Sequence, residues 1–126
     1  MKSENKKWGG TGELIACRFL EQKGFRIIET GYRKPWGEVD IIAKKEGVIH
    51  FVEVKSVTRE PDSAFSREMM DPEEKVDPRK VEKIRKAGEF YLREKYPNSE
   101  AQVDVIAVFL NTEQKRAQCR FTENVL

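Results

Sequence analysis

Apolar residues recur at helical spacing near the start of the chain, then follow strand-like patterns, then return to helical spacing. Ala16, Cys17, Phe19 and Leu20 share one face of a helix predicted over about Thr11 to Lys23. Thr11 can cap its start, and Gly24 suits its left-handed stop. Glu13 lies three and four residues before Ala16 and Cys17, so a carboxylate shares that apolar face. A strand is predicted from about Phe25 to Tyr32, and a hairpin turning at Glu46-Gly47 follows. In the second arm of the hairpin, Ile49, Phe51, Glu53 and Lys55 lie on one face, and Val48, His50, Val52 and Val54 on the other. From Ser56 to Val76 the pattern dissolves, and Pro61, Pro72 and a run of acidic residues predict a long loop. Helical spacing resumes at Asp77, the expected N-cap, with Pro78 at the first helical position. Val81, Ile84, Ala87, Gly88, Tyr91 and Leu92 form the apolar stripe of this helix, and Pro97 ends it. Strands over about Gln102 to Leu110 and Gln118 to Thr122 complete the order α-β-β-β-α-β-β. That order predicts one α/β domain spanning 1–126: a mixed sheet of four to five strands flanked by helices.

The segment GEVDIIAKKEGVIHFVEVKS is apolar apart from its turn and a few charges, and charges are depleted in strands. A two-residue turn at Glu46-Gly47 sets Asp40 opposite Glu53, with Cβ atoms roughly 4.5–5.5 Å apart. Two converging carboxylates suit a hard divalent cation, Mg²⁺ or Mn²⁺, shared with substrate phosphate. Asp40 and Glu53 are the candidate metal ligands, the Val54 carbonyl a third, and Glu13 a fourth, directly or through water. Lys55, on the face of Glu53, is placed to orient the attacking water or to stabilise charge on the phosphate. Each residue also has a bland explanation. A Glu-x-Lys pair is often a solvated edge, Asp40 follows a turn, and Glu13 favours a helix start through the dipole. One metal site accounts for all three together.

Composition narrows the field. Hydrophobic residues make up 38% and charged residues 37% of the chain, which favours a folded domain with a well-solvated surface. Net charge is only +2, but it is unevenly spread. Lys75 through Lys95 holds eight basic and four acidic residues, net +4, and Arg59 through Glu74 holds two basic and six acidic, net −4. Arg79, Lys80, Lys83 and Lys86 make a basic helix face, a candidate surface for phosphates. Cys17 and Cys119 stand far apart and His50 is the sole histidine, so a zinc site is not expected. Neither a secretory signal nor a membrane span is expected, which points to the cytoplasm. His50, on the face opposite Glu53, reads as a packing residue. Asp104 reads as a structural partner for a basic group, and Cys17 as core. Trp8 and Trp36 flank the first helix and the hairpin entrance; Trp36 is either a packing anchor or a base-stacking surface.

The blocks GELIACRFLEQKGF, YRKPWGEVDIIA, FVEVKSV, VDPRKVEKIRKAGEFYL and VDVIAV, in that order, resemble the small bacterial proteins of uncharacterised protein family 0102, the YraN-like family. That family is similar to the PD-(D/E)xK, or restriction-endonuclease-like, nucleases and to archaeal Holliday-junction resolvases. The resemblance implies a restriction-endonuclease-like α/β fold. It equates Glu13 with the helix glutamate, Asp40 with the metal-binding aspartate, and Glu53 and Lys55 with the E-x-K pair. Arg33 and Lys80 match its basic positions. Gly31 stands where an asparagine is common, and the acidic stretch around Met69 to Glu74 is longer than in relatives.

These readings lead to a metal-dependent endonuclease acting on DNA, with branched DNA a candidate substrate and a homodimer expected by analogy. Two alternatives from other classes stand beside it. One is a nucleic-acid-binding module with a vestigial site, and the other an interaction domain that dimerises through the 56–76 loop.

Overall fold

The computed structural model describes residues 11–59, 77–111 and 115–125. Helix α1 spans Thr11–Gln22, and strands β1 (Arg26–Lys34), β2 (Gly37–Lys45) and β3 (Val48–Arg59) follow as a meander. Helix α2 (Pro78–Lys95) then leads to β4 (Glu100–Asn111) and β5 (Arg116–Thr122). The sheet order is β1-β2-β3-β4-β5, antiparallel throughout except for the parallel β3–β4 pair that α2 connects. The strand that begins near Val48 runs further than its sequence pattern suggests. It continues to Arg59, because residues from Ser56 onward pair with Val108 through Asn111 of β4. The rest of the expected 56–76 loop, with Pro61, Pro72 and the acidic stretch, lies outside the described residues, as does Trp8.

The two helices cover opposite faces of the sheet, which explains the near-continuous apolar run of β4. Ala16 and Leu20 of α1 pack on Ile41, Ala43, Val52, Ile106 and Val108. On the other face Ile84, Ala87 and Tyr91 of α2 pack on Val39, Ile42, Ile49, Phe51 and Val103. All but one of these side chains have no more than 2% of their surface exposed, so both faces of β3 and β4 are dry. Helix α2 starts as its sequence dictates: the Arg79 N–H donates to the Asp77 side chain at 2.9 Å, and Pro78 opens the first turn.

Two local features set the geometry of the hairpin. Glu46 and Gly47 both have positive φ (52° and 84°), the signature of a tight two-residue turn, and the ladder runs from Lys45↔Val48 to Ile41↔Val52. Gly31, with φ of 65°, sits in β1 between the pairs Thr30↔Ile41 and Tyr32↔Val39, alongside Asp40. Positive φ suits glycine and, next best, asparagine. Gly31 therefore adopts this conformation without the strain a larger side chain would meet. At this level β2 also changes faces. Val39 joins the α2 layer and Ile41 the α1 layer, although two residues apart on a regular strand they would share one side.

Candidate metal and nucleic-acid site

Asp40 sits where β2 and β3 part. The ladder stops at Ile41↔Val52, and beyond it the Val54 N–H donates to Asp40 Oδ2 at 2.8 Å. A carboxylate thus takes over the strand edge that the partner backbone has left. Glu53, next in line on β3, is only 3% exposed. It lies on the α2 side, where Lys80 Nζ, from the start of α2, contacts Glu53 Oε2 at 2.8 Å. Glu13 enters from the first turn of α1, which is seated against β3 by contact between buried Gly12 and Ser56.

The electrostatics report the same convergence. Burial pushes the Asp40 carboxyl up to about 7, and the neighbouring Glu53 charge adds to the rise, while the Val54 amide pulls the other way. Glu13 is raised above the ordinary carboxylate range, first by burial and then by Glu38 and Glu53, with Arg33 opposing. Lys80 is held above the usual lysine value by its hydrogen bond to Glu53, with further support from the charges of Asp40 and Glu38. Two crowded carboxylates, one buried and one half-buried, with one ammonium are an electrostatic deficit of positive charge. Hard oxygen donors in that setting fit a divalent cation of the Mg²⁺ or Mn²⁺ kind.

The residues singled out from sequence are not equally close to this centre. Asp40 and Glu53 adjoin each other, and the Val54 amide donates to Asp40. Glu13 is near enough for its charge to be felt at Asp40. However, Glu13, Asp40 and Glu53 do not all approach within 4.8 Å; among the described residues that closeness occurs at His50, Asp104 and Glu123. Lys55 is half-buried and lies beside Ala107 in the parallel ladder. The ammonium that grips Glu53 belongs instead to Lys80, a contact the sequence did not reveal, since strand spacing singles out Lys55 and helix spacing groups Lys80 with the solvent-facing cations. A salt bridge between residues 27 apart leaves no local signal.

Basic residues border the centre. Arg33 pairs with Glu38 at 3.0 Å, and Arg79 with its own cap residue Asp77 at 3.6 Å. Arg33, Lys34, Trp36, Arg79, Lys80 and Lys83 line a cleft of about 600 Å³ between the β1–β2 turn and the start of α2.

The His50–Asp104–Glu123 group has a structural explanation. His50 Nδ1 and Asp104 Oδ2 are 2.5 Å apart, with the His50 side chain 6% and Asp104 0% exposed. Asp104 Oδ1 accepts from Gln102 Nε2 and from the Asn124 N–H, both at 2.9 Å. The Val125 N–H donates to the Val103 carbonyl at 2.8 Å. Both oxygens of Asp104 are therefore engaged, Oδ2 with His50 and Oδ1 in clasping residue 124 to β4, and His50 packs as its alternation predicts.

The molecule so described is an α/β protein with a five-stranded mixed sheet between two helices and an acidic centre at the point where two strands separate. The chain belongs to the uncharacterised protein family UPF0102, whose model matches residues 12–108. It is similar to a UPF0102 protein of Campylobacter jejuni (serotype O:2), 36% identical over 117 residues, covering 93% of this chain and 91% of that one. A UPF0102 protein of Fervidobacterium nodosum is 39% identical over 110 residues, covering 85% and 77% of the two chains. A solved structure of Pyrococcus furiosus SfsA in complex with Ca²⁺ matches with a TM-score of 0.35 and 15% identity, covering 91% of this chain and 61% of that one.

Proposed function

We propose that this protein is a metal-dependent endonuclease that hydrolyses DNA phosphodiesters. The observation that carries the reading is the meeting of half-buried Asp40 and buried Glu53 where the β2–β3 ladder ends. Asp40 and Glu53 would hold Mg²⁺ or Mn²⁺, with Glu13 reaching it through water. Bound there, the ion supplies Lewis acidity and lowers the pKa of a coordinated water.

The chain's own residues do the rest. The Val54 amide fixes the orientation of the Asp40 carboxylate, so the ligand set is organised before substrate arrives. Lys80 balances the charge of Glu53 in the free protein and is positioned to turn to an incoming phosphate oxygen. Lys55, projecting from the strand that carries Glu53, orients the attacking water or supports the developing negative charge. Arg33, Arg79 and Lys83 hold the flanking backbone as sequence-independent phosphate contacts.

Incubation with supercoiled plasmid and with four-way junctions in Mn²⁺ or Mg²⁺ tests this reading. Cleavage by the wild type, lost in Asp40→Ala and Glu53→Ala, is the expected result. Identical products from wild type and Asp40→Ala would sink the enzymatic reading.

One observation favours a second reading, a nucleic-acid-binding module with a vestigial site. Lys80 Nζ contacts Glu53 Oε2 at 2.8 Å, so the balancing charge for Glu53 comes from within the chain. On that reading Glu53→Gln leaves DNA binding unchanged, while charge reversal at Lys80 and Lys83 weakens it and flattens its salt dependence.

A further inference from the structure

Trp36 is 45% exposed, one of two large apolar side chains so open among the described residues, the other being Leu14. A lone exposed tryptophan needs no explanation. This one has a setting that does. It stands on the turn between β1 and β2, at the cleft shared with Arg33, Lys34, Arg79, Lys80 and Lys83.

Its ring is braced. Phe90 of α2 meets it edge to face, with centroids 5.5 Å apart and planes at 72°. The other side of that brace is held by Lys34, whose Nζ lies 4.8 Å from the Phe90 centroid. The turn itself is pinned against α2 at Gly37, where even a methyl group would come within 2.5 Å of the Lys83 carbonyl oxygen. Trp36 is therefore a rigid aromatic surface, ordered before any ligand binds, so a ligand that stacks on it loses little entropy of the protein.

The walls say what that ligand is. Five cations face two carboxylates, Glu38 and Asp77, around the cleft, a balance that favours a polyanion over a neutral or acidic peptide. An aromatic face beside a cationic track is the arrangement that binds single-stranded nucleic acid, with a base on the ring and phosphates along the charges. A duplex keeps its base faces stacked and would have to be opened before a base could reach the ring. The cleft volume, about 600 Å³, lies within the roughly 300–1,000 Å³ typical of ligand pockets. Lys80 links the cleft to the acidic centre, since it lines the first and ion-pairs with Glu53 in the second.

We propose that Trp36 stacks an unpaired base, so that the substrate class is single-stranded DNA or the single-stranded arm of a junction, its phosphates lying along Lys80 and Lys83. This rests on the nuclease reading only for where the strand is cut; the stacking needs no metal.

The test uses the full chain carrying Trp8→Phe, which leaves Trp36 as the sole fluorophore of its kind. In EDTA, a short oligothymidylate, its duplex with oligoadenylate, and heparin are titrated in turn. The oligothymidylate is expected to quench Trp36 emission and to bind about tenfold or more tightly than the duplex. Heparin is expected to bind without comparable quenching. In the otherwise native chain, Trp36→Ala should lose about tenfold or more in single-strand affinity, measured by anisotropy of a labelled strand, and Trp36→Phe should retain most of it. Equal affinity for single strand and duplex overturns the inference. So does equal quenching by heparin, or undiminished single-strand binding in Trp36→Ala. Tight, quenching single-strand binding by a protein that never cleaves in Mn²⁺ supports this inference while sinking the nuclease reading.

Discussion

Asp40 shows how much of a site one residue can reveal and how much it hides. Its position inside an apolar hairpin made it conspicuous, and the turn at Glu46-Gly47 gave its register against Glu53. The sequence did not show that its carboxylate would replace a backbone partner for Val54, because that depends on where β2 and β3 separate. Nor did it show Lys80 reaching Glu53 across the helix–sheet boundary. The Asp40 environment has a measurable consequence. Its carboxyl rises from the ordinary 3.8 to about 7 in the folded protein. Between those values the native state holds a proton that the unfolded chain has released. The metal-free protein should therefore lose stability as pH rises from about 4 to about 7 and stay at the lower level above it. Asp40→Asn should flatten that decline and melt higher than wild type at pH above about 7, while losing any stabilisation by Mn²⁺. Thermal melts in EDTA across this range check it; an Asn variant that tracks wild type at every pH would show that Asp40 is not held in a hostile environment.

At the scale of elements, the order of helices and strands was legible because the apolar spacing switches cleanly between periods. The end of β3 was not. Ser56, Val57, Thr58 and Arg59 carry too few apolar residues to mark a strand, and their pairing depends on β4, about 50 residues later in the chain. Non-local pairing overrode local pattern there. The junction of the β1–β2 turn with α2 depends on Gly37. Gly37→Ala should cost about 1–3 kcal/mol, since the Lys83 carbonyl is backbone and cannot swing aside. The same variant should displace Trp36 and blunt its Phe90 contact, which near-ultraviolet circular dichroism would register. The Asp104 clasp makes a second expectation. Asp104→Ala leaves buried His50 without its partner and frees the Asn124 amide, a loss on the order of 2–3 kcal/mol by chemical denaturation. If metal held at His50, Asp104 and Glu123 were what the protein is built for, Mn²⁺ affinity would fall with Asp104→Ala and survive in Asp40→Asn.

At the scale of the whole molecule, the two helices cover opposite faces of one sheet. The acidic centre forms where the β2–β3 ladder ends, near the starts of both α1 and α2. This explains why the site draws on residues as far apart as Glu13 and Lys80. Each comes from the first or second turn of a helix, and the sheet between them supplies Asp40 and Glu53. Among the described residues no helix is long and apolar enough to cross a membrane. The basic cleft lies beside the acidic centre rather than around it. On the proposed nuclease reading, a polyanion would be held by Lys83 and its neighbours while one phosphate approaches the carboxylates.

The claim on which the rest depends is that Asp40 and Glu53 together hold a divalent ion. Calorimetric titration of Mn²⁺ into the metal-free protein measures it most directly. Wild type should bind a single ion per chain, and Asp40→Asn and Glu53→Ala should each abolish the heat while remaining folded. Wild type and both variants giving the same isotherm, or none giving any heat, would contradict the account.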